Sequence, residues 1–128
     1  MSTLAPGLFY TKDDEWLRLE GDEAVIGISD YAQDALSDIV YLELPAVGDS
    51  FGQGEVIGVV ESVKAAADLF TPVAGEITAV NADLVDNPEQ LNNTPYDSWL
   101  VRIKLSAPAQ TAALMDVAAY AAYRDIKD

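Results

Sequence analysis

The sequence contains no cysteine and no histidine among its 128 residues. Without cysteine the chain has no disulfide, no thiolate nucleophile and no zinc site built on cysteine ligands. Without histidine it lacks the side chain that most often serves as a general base near neutral pH and as a metal ligand. These two absences exclude catalytic sites of the Ser/His/Asp and Cys/His types.

Basic residues are scarce: seven lysines and arginines stand against 22 aspartates and glutamates, a formal net charge of −15. This charge would repel the phosphates of nucleic acids and anionic membrane surfaces, and it favours partner proteins with basic docking faces. No uninterrupted apolar run approaches the ~20 residues needed to span a bilayer. Residues 1–8 resemble neither a secretory signal nor a transit peptide, so we expect a cytoplasmic protein.

Glycine-rich phosphate loops are also absent, because the glycines between 48 and 58 fit neither GxxxxGK nor GxGxxG. Paired acids occur throughout, but in so acidic a chain most of them indicate a solvated surface. Half of the residues are hydrophobic, which is enough for one domain with a real core. We therefore predict a single domain over 1–128, with no active site of its own and no metal.

The stretch from 55 to 80 contains an isolated positive charge. Lys64 is the only basic residue between Arg18 and Arg102, a span with sixteen aspartates and glutamates. A solitary lysine is most simply a solvated surface residue. Residues 61–69 are rich in alanine and could form a short helix, whereas the flanking valines, proline and glycine favour strands and turns. Periodicity therefore leaves open a short helix or a hairpin with its tip at Val63 and Lys64, residues that disfavour the positive φ of tight turns.

The rest of the chain is predicted to be mainly β. Strands are expected over 16–20, 24–28, 39–44 and 99–105. A short helix is predicted over 31–36, with Asp30 as its N-cap and Gln33 as the reciprocal partner of a capping box. Residues 81–98 form a polar, acidic segment that we predict to be a long connection. A helical tail over about 107–124 has an apolar stripe that we expect to pack against the sheet rather than bind a partner.

The segment ESVKAAADLFTPVAGEI, residues 61–77, is similar to the lipoyl-attachment segment of the glycine cleavage H-protein family. Further matches follow in the family's order: YTKxxEW at 10–16, GISDxAQ at 27–33, DIV at 38–40, ELP at 43–45 and NxxPY…W at 92–99. The resemblance implies a lipoyl/biotinyl-type barrel-sandwich hybrid of two antiparallel sheets, with a short helix near 30–37. The implied domain has a core over about 8–105 and a C-terminal helical tail over about 107–124.

Lys64 takes the place of the family's modified lysine at an exposed hairpin tip. The resemblance implies that lipoic acid is attached covalently to it as N6-lipoyllysine, and that the flanking Glu61, Ser62, Val63 and Ala65 contribute to recognition. Val63 stands where biotinylated segments commonly have methionine, which favours lipoate over biotin.

The family's partners follow from the same resemblance. They are the glycine decarboxylase that uses pyridoxal phosphate (PLP), the tetrahydrofolate-dependent aminomethyltransferase, dihydrolipoamide dehydrogenase, and a lipoate ligase or lipoyl/octanoyl transferase. The chain would shuttle the aminomethyl group of glycine from the first enzyme to the second, and its dithiol to the third. We expect a bacterial, cytoplasmic monomer that binds neither nucleic acid nor membrane.

In this family the loaded arm folds into a surface cleft that protects its cargo from water, and a cationic amine suits an acidic cleft. By motif position the implied cleft residues are Glu15 and Asp68, with Asp13 where the family often has serine. In a chain of this charge Glu15 and Asp68 could also be plain surface acids. Asp14 and Tyr31 depart from the pattern, since the family usually has histidine at both positions.

Two other functions stay open. A lipoyl or biotinyl module of another complex, such as a 2-oxoacid dehydrogenase, would lack the YTKxxEW block and the helical tail. An H-like paralogue that acts as a lipoate donor, or as a non-enzymatic interaction protein, would keep the same lysine. The sequence does not separate that paralogue from the carrier of glycine cleavage.

Overall fold

In a computed structural model, which describes residues 3–126, the chain forms two antiparallel β-sheets flanked by short helices. This confirms the predicted mainly β, two-sheet architecture. The strands are β1 Phe9–Tyr10, β2 Glu15–Glu20, β3 Glu23–Ile28, β4 Ile39–Glu43, β5 Ser50–Phe51, β6 Val56–Ser62, β7 Ala66–Phe70, β8 Gly75–Val80 and β9 Val101–Leu105. The helices are α1 Asp30–Leu36, α2 Ala82–Asp86, α3 Gln90–Asn93 and α4 Val117–Arg124, and a 3₁₀ helix, Pro108–Ala113, precedes α4.

The larger sheet has six strands in the order β1-β2-β3-β9-β8-β5, and the smaller has three in the order β4-β6-β7. Alternate residues of both sheets point inward and share one apolar core, which includes Leu17, Ile26 and Ile103 from the larger sheet and Val60 and Leu69 from the smaller. Each fully buried aliphatic side chain contributes roughly 1.5–3 kcal/mol. This shared core holds the smaller sheet against the larger one. Lys64 lies in the turn between β6 and β7, two strands of the smaller sheet.

Helix α1 has a different cap from the predicted one. Ser29, and not Asp30, is the N-cap, because its backbone is extended and its hydroxyl accepts a hydrogen bond from the Ala32 amide at 3.1 Å. Asp30 is already the first helical residue. The side chain of Gln33 donates to the carboxylate of Asp30 at 2.7 Å, so the expected reciprocal partner bonds within the helix instead.

Residues 81–98 contain two short helices, α2 and α3, that the prediction of a long connection lacked. Leu84 and Leu91 are fully buried and hold these helices on the core. The side chain of Asn92 accepts a hydrogen bond from the Ile39 amide at 2.9 Å and donates to the Ser37 carbonyl at 2.8 Å. Burial and hydrogen bonding therefore pin a segment whose composition is polar.

The C-terminal tail packs on the β1–β2 edge of the larger sheet, as expected. Its buried residue is Tyr120, whose ring stacks on that of Tyr10 with centroids 4.3 Å apart. Trp16 lies in the same cluster and covers Gly27, where any side chain would collide with the indole. No helix within residues 3–126 is long and apolar enough to cross a membrane.

Candidate functional site: the Lys64 hairpin and an acidic cavity

Lys64 lies at the tip of the antiparallel hairpin formed by β6 and β7, so the hairpin alternative is confirmed and the helix is not formed. The Ser62 amide donates to the Ala65 carbonyl at 2.7 Å and closes the turn. The Ser62 hydroxyl accepts from the amides of Lys64 at 3.3 Å and Ala65 at 3.1 Å. Neither tip residue has a positive φ, so the serine side chain takes the place of the glycine or asparagine that tight turns usually require.

The tip is accessible to other proteins. Val63 is 66% exposed, and Glu61, Lys64 and Ala65 are exposed as well. The Val63 amide donates to the Asp38 carbonyl at 3.0 Å, which ties the turn to the start of β4. None of the salt bridges within residues 3–126 involves the Lys64 amine. The backbone of the tip is held in place while its one amine remains free to react.

A cavity of about 420 Å³ opens near the other end of β7. Four parts of the chain line it: the end of β1 with the turn that follows, the turn between β5 and β6, the end of β7 with the residues after it, and the tail before α4. The lining residues are Tyr10, Thr11, Lys12, Asp13, Glu15, Gln53, Gly54, Phe70, Thr71, Pro72, Ala113, Leu114 and Met115.

Glu15 is the buried acid of this cavity, with 3% of its surface exposed. One carboxylate oxygen accepts a hydrogen bond from the Phe70 amide at 3.0 Å, and the other accepts from the Thr11 hydroxyl at 3.1 Å. Burial raises the pKa of Glu15 to about 8, which these two hydrogen bonds oppose and the charges of Asp13 and Asp14 reinforce. No salt bridge to Glu15 occurs in the described part of the chain, so its carboxylate has no basic partner there.

The structure brings together two of the three acids expected in the cleft. Asp13 lines the cavity with Glu15, and its side chain is exposed. Asp68 is not part of the lining. It lies exposed on β7 between Lys64 and Phe70, on the same face as Phe70, because alternate residues of a strand share a face and Leu69 between them is buried.

The turn that presents Glu15 is attached to helix α4 through Arg124. The guanidinium donates to both oxygens of Asp14, at 2.8 and 2.7 Å, and to the Lys12 carbonyl at 3.1 Å. It also lies 4.7 Å from the ring centroid of Tyr31. The two positions that depart from the family's histidines, Asp14 and Tyr31, therefore meet at one arginine.

Several residues of the site had no assigned role in the sequence analysis. Thr11 lies inside the YTKxxEW block, four residues before Glu15, and this short separation could have indicated that the two side chains are in contact. The Phe70 amide and the Arg124 side chain gave none, because they come from segments 55 and 110 residues away from the groups they contact. Within residues 3–126, no group of three or more acidic side chains is arranged to hold a metal ion.

Comparison with known proteins gives a consistent result. The family model described as "Glycine cleavage H-protein" matches residues 8–126. The glycine cleavage system H protein of Thermoanaerobacter sp. (strain X514) is 50% identical over 119 residues, which cover 93% of this chain and 94% of that protein. Glycine cleavage system H protein 2 of Pseudomonas putida is 51% identical over 123 residues, covering 95% and 97%.

A solved structure agrees with these relatives. The crystal structure of a glycine cleavage system H protein from Mycobacterium marinum superposes with a TM-score of 0.88 at 33% identity, covering 96% of this chain and all of that one. The match extends over both sheets and the helical tail, and so over all the elements that form the hairpin and the cavity. The chain belongs to the glycine cleavage H-protein family.

Proposed function

We propose that this chain is the lipoyl carrier of a glycine cleavage system, with lipoic acid attached to Lys64 and with no catalytic site of its own. The observation that carries the proposal is the exposed amine on a hydrogen-bonded hairpin tip, in a chain that matches this family along nearly its whole length. A carrier requires one nucleophile that a modifying enzyme can reach and that several active sites can accept in turn.

The hairpin suits this role because rigidity and reach are separated. The turn is held by hydrogen bonds from the Lys64 and Ala65 amides to the Ser62 hydroxyl and from the Val63 amide to the Asp38 carbonyl, while the lysine side chain is free to extend. The attaching enzyme would recognise the residues that flank Lys64 at the tip, which are Glu61, Ser62, Val63 and Ala65. Acylation converts the ammonium into a neutral amide and so removes one of the chain's few positive charges. Once attached, the lipoyl group would supply a disulfide that accepts the aminomethyl group of glycine.

The cavity at the far end of β7 would shelter the cargo. A cationic amine that enters would meet Glu15, whose oxygens are already oriented by Thr11 and Phe70, and Asp13 at the rim. Because burial makes an unpaired carboxylate costly, the arriving positive charge stabilises the ionised form of Glu15. Asp68 would contact the arm along β7, between the tip and the cavity. The apolar parts of the lining exclude water from the amine.

The partner enzymes follow from this carrier role. The chain would receive its cargo from a PLP-dependent decarboxylase, deliver it to a tetrahydrofolate-dependent aminomethyltransferase, and present the resulting dithiol to dihydrolipoamide dehydrogenase. A lipoate ligase or a lipoyl/octanoyl transferase would attach the group. Each partner has to accept the tip in its active site, which the exposure of residues 63–65 permits.

The attachment site is tested by the intact mass of the protein from lipoate-replete cells. We expect the mass of one lipoyl group on the wild-type chain and none on Lys64→Arg, which keeps the charge but removes the primary amine. Lys104→Arg, an exposed lysine on β9, is the matched control and should be modified like the wild type. A wild-type chain that stays unmodified in the presence of an active ligase contradicts the proposal.

The carrier role is separated from lipoate donation by glycine–bicarbonate exchange. With a matched decarboxylase, the lipoylated chain should support exchange, and Lys64→Arg should not. A lipoylated chain that fails to support exchange, yet passes its lipoyl group to another acceptor protein, would instead be a lipoate donor.

A further inference from the structure

We infer that Arg124, on the C-terminal helix α4, is a positioning residue for Glu15 and thus for the cavity in which the cargo docks. The inference rests on the function proposed for that cavity. Arg124 itself does not line the cavity, and it acts through the turn formed by residues 11–15.

The turn is compact and internally bonded, so a displacement at one residue reaches the others. The Thr11 amide donates to the Glu15 carbonyl at 2.9 Å, and the Asp14 amide donates to the Thr11 carbonyl at 3.1 Å. The Thr11 hydroxyl accepts from the amides of Asp13 at 3.2 Å and Glu15 at 3.1 Å. It also donates to the Glu15 carboxylate. The position of the Glu15 carboxylate is therefore set by the shape of this turn.

Asp14 is the point of strain in the turn. Its φ of +69° lies in the left-handed region, which costs a residue other than glycine roughly 1–2 kcal/mol. The Asp14 side chain stabilises this backbone conformation, because it accepts two hydrogen bonds from Arg124 and one from the Tyr120 hydroxyl at 2.8 Å. Arg124 also bonds the carbonyl of Lys12 on the other arm of the turn. One guanidinium thus holds two residues of the turn, Lys12 and Asp14.

The same tail also lines the cavity directly. Met115 lines it and exchanges two backbone hydrogen bonds with Tyr10, at 2.7 and 2.9 Å. The stacked rings of Tyr10 and Tyr120 join the base of the turn to helix α4. The tail therefore contacts the segment that carries Glu15 at two places, through Met115 at Tyr10 and through Arg124 at Lys12 and Asp14.

Charge adds a second effect. Asp14 adjoins Glu15, and its negative charge opposes ionisation of the buried carboxyl. The guanidinium of Arg124 compensates that charge. Removal of Arg124 would therefore loosen the turn and leave Asp14 uncompensated beside Glu15.

The experiment compares two variants of Arg124. Arg124→Gln removes both the positive charge and the pair of parallel hydrogen bonds to Asp14, whereas Arg124→Lys keeps the charge and loses the paired hydrogen bonds. Arg102→Gln is the matched control, since Arg102 is likewise an ion-paired arginine, with Glu20 and Glu23 as its partners, but lies on β9, outside the cavity. In the unlipoylated protein, the NMR shift of the Phe70 amide is followed against pH, because this amide donates to Glu15 and reports its ionisation. We expect a higher midpoint in Arg124→Gln, an intermediate one in Arg124→Lys and the wild-type value in Arg102→Gln.

An unchanged midpoint in Arg124→Gln would overturn the inference. Should that variant fail to fold, Arg124→Lys decides: a smaller upward shift supports the inference and no shift overturns it. In the lipoylated protein, Arg124→Gln should release its aminomethyl cargo roughly threefold to tenfold faster than wild type, with the extent of lipoylation unchanged. If the Phe70 midpoint moves but cargo release is insensitive to both Arg124→Gln and Glu15→Gln, the positioning of Glu15 stands and the proposed use of the cavity falls.

Discussion

The proposed function assigns its chemistry to two single residues with opposite environments. Lys64 is exposed on a tip with no ion pair in the described chain, so its amine is available to other enzymes. Glu15 is buried, and two hydrogen bonds do not offset the loss of solvent around its carboxyl. The exposed group is suited to modification and the buried group to recognition.

Glu15 should make stability depend on pH. Its pKa is about 8 in the folded chain and that of an ordinary glutamate when unfolded, so the unfolded state loses this proton first. The free energy of unfolding should therefore fall as the pH rises from about 4.5 to 8, by at most about 1.4 kcal/mol per pH unit. Urea unfolding of wild type and Glu15→Gln across this range isolates the effect, because all other carboxyls are shared. Parallel curves for the two proteins would contradict the assignment.

Loading should lower the pKa of the same group. A cationic amine in the cavity favours the carboxylate, so the Glu15 midpoint in the aminomethyl-loaded protein should lie below that of the lipoylated, unloaded protein. Carboxyl ¹³C NMR titration of both forms measures the difference. Glu20, whose pKa is lowered by Arg102 and Arg18 and which lies outside the cavity lining, provides the internal control, and its midpoint should be the same in both forms. Equal Glu15 midpoints would place the amine elsewhere.

At the scale of elements, residue patterns alone did not predict the hairpin that carries Lys64. Intrinsic propensity allowed a helix over 61–69, and the tip lacks the glycine or asparagine that identifies tight turns. The structure resolves this with a side chain: Ser62 replaces a backbone carbonyl as acceptor for two amides. Only the family resemblance indicated the hairpin beforehand. For helix α1 the predicted cap was Asp30, and nothing indicated Ser29 instead, because its capping role depends on an extended backbone that the sequence does not reveal.

The Ser62 hydroxyl should matter more for modification than for stability. In Ser62→Ala, water can reach the two exposed amides, so we expect a loss of less than about 1 kcal/mol in the free energy of unfolding. The tip would sample more conformations, and the initial rate of enzymatic lipoylation should fall several-fold. Ser50→Ala, at an exposed position on β5, should leave both quantities unchanged. A wild-type lipoylation rate in Ser62→Ala would mean that the attaching enzyme imposes the tip conformation itself.

At the scale of the whole molecule, the family resemblance implied the two-sheet architecture but not the contacts that join distant segments. Residue patterns predicted strands that correspond to β2, β3, β4 and β9, and a helical tail that includes α4, but they did not predict the short strands β1 and β5. The pairs Asp14–Arg124 and Asn92–Ile39 are not visible in any local pattern, because they depend on how the tail and α3 pack on the sheets. The cavity lies at such a junction, where four segments of the chain meet, which is why two of its acids were identified but not the rest of its lining.

The charge of the whole molecule should govern how fast it meets its partners. The net charge is −15, and attachment of a lipoyl group to Lys64 removes one positive charge and makes it −16. Long-range attraction to a basic docking face raises the association rate and is screened by salt. Between about 0.01 and 0.15 M salt the Debye length falls from about 30 to about 8 Å. The association rate with a matched decarboxylase, measured by stopped flow, should drop at least several-fold over this range.

Two single-charge variants show whether net charge or the tip is responsible. Glu61→Gln removes an acid beside Lys64, and Asp83→Asn removes one on α2; both change the net charge equally. Glu61→Gln should slow association more, because screening leaves only charges close to the docking face effective at 0.15 M salt. Equal effects would mean that the overall charge steers the encounter. An association rate that does not depend on salt would show that the acidic surface serves solubility and not partner capture.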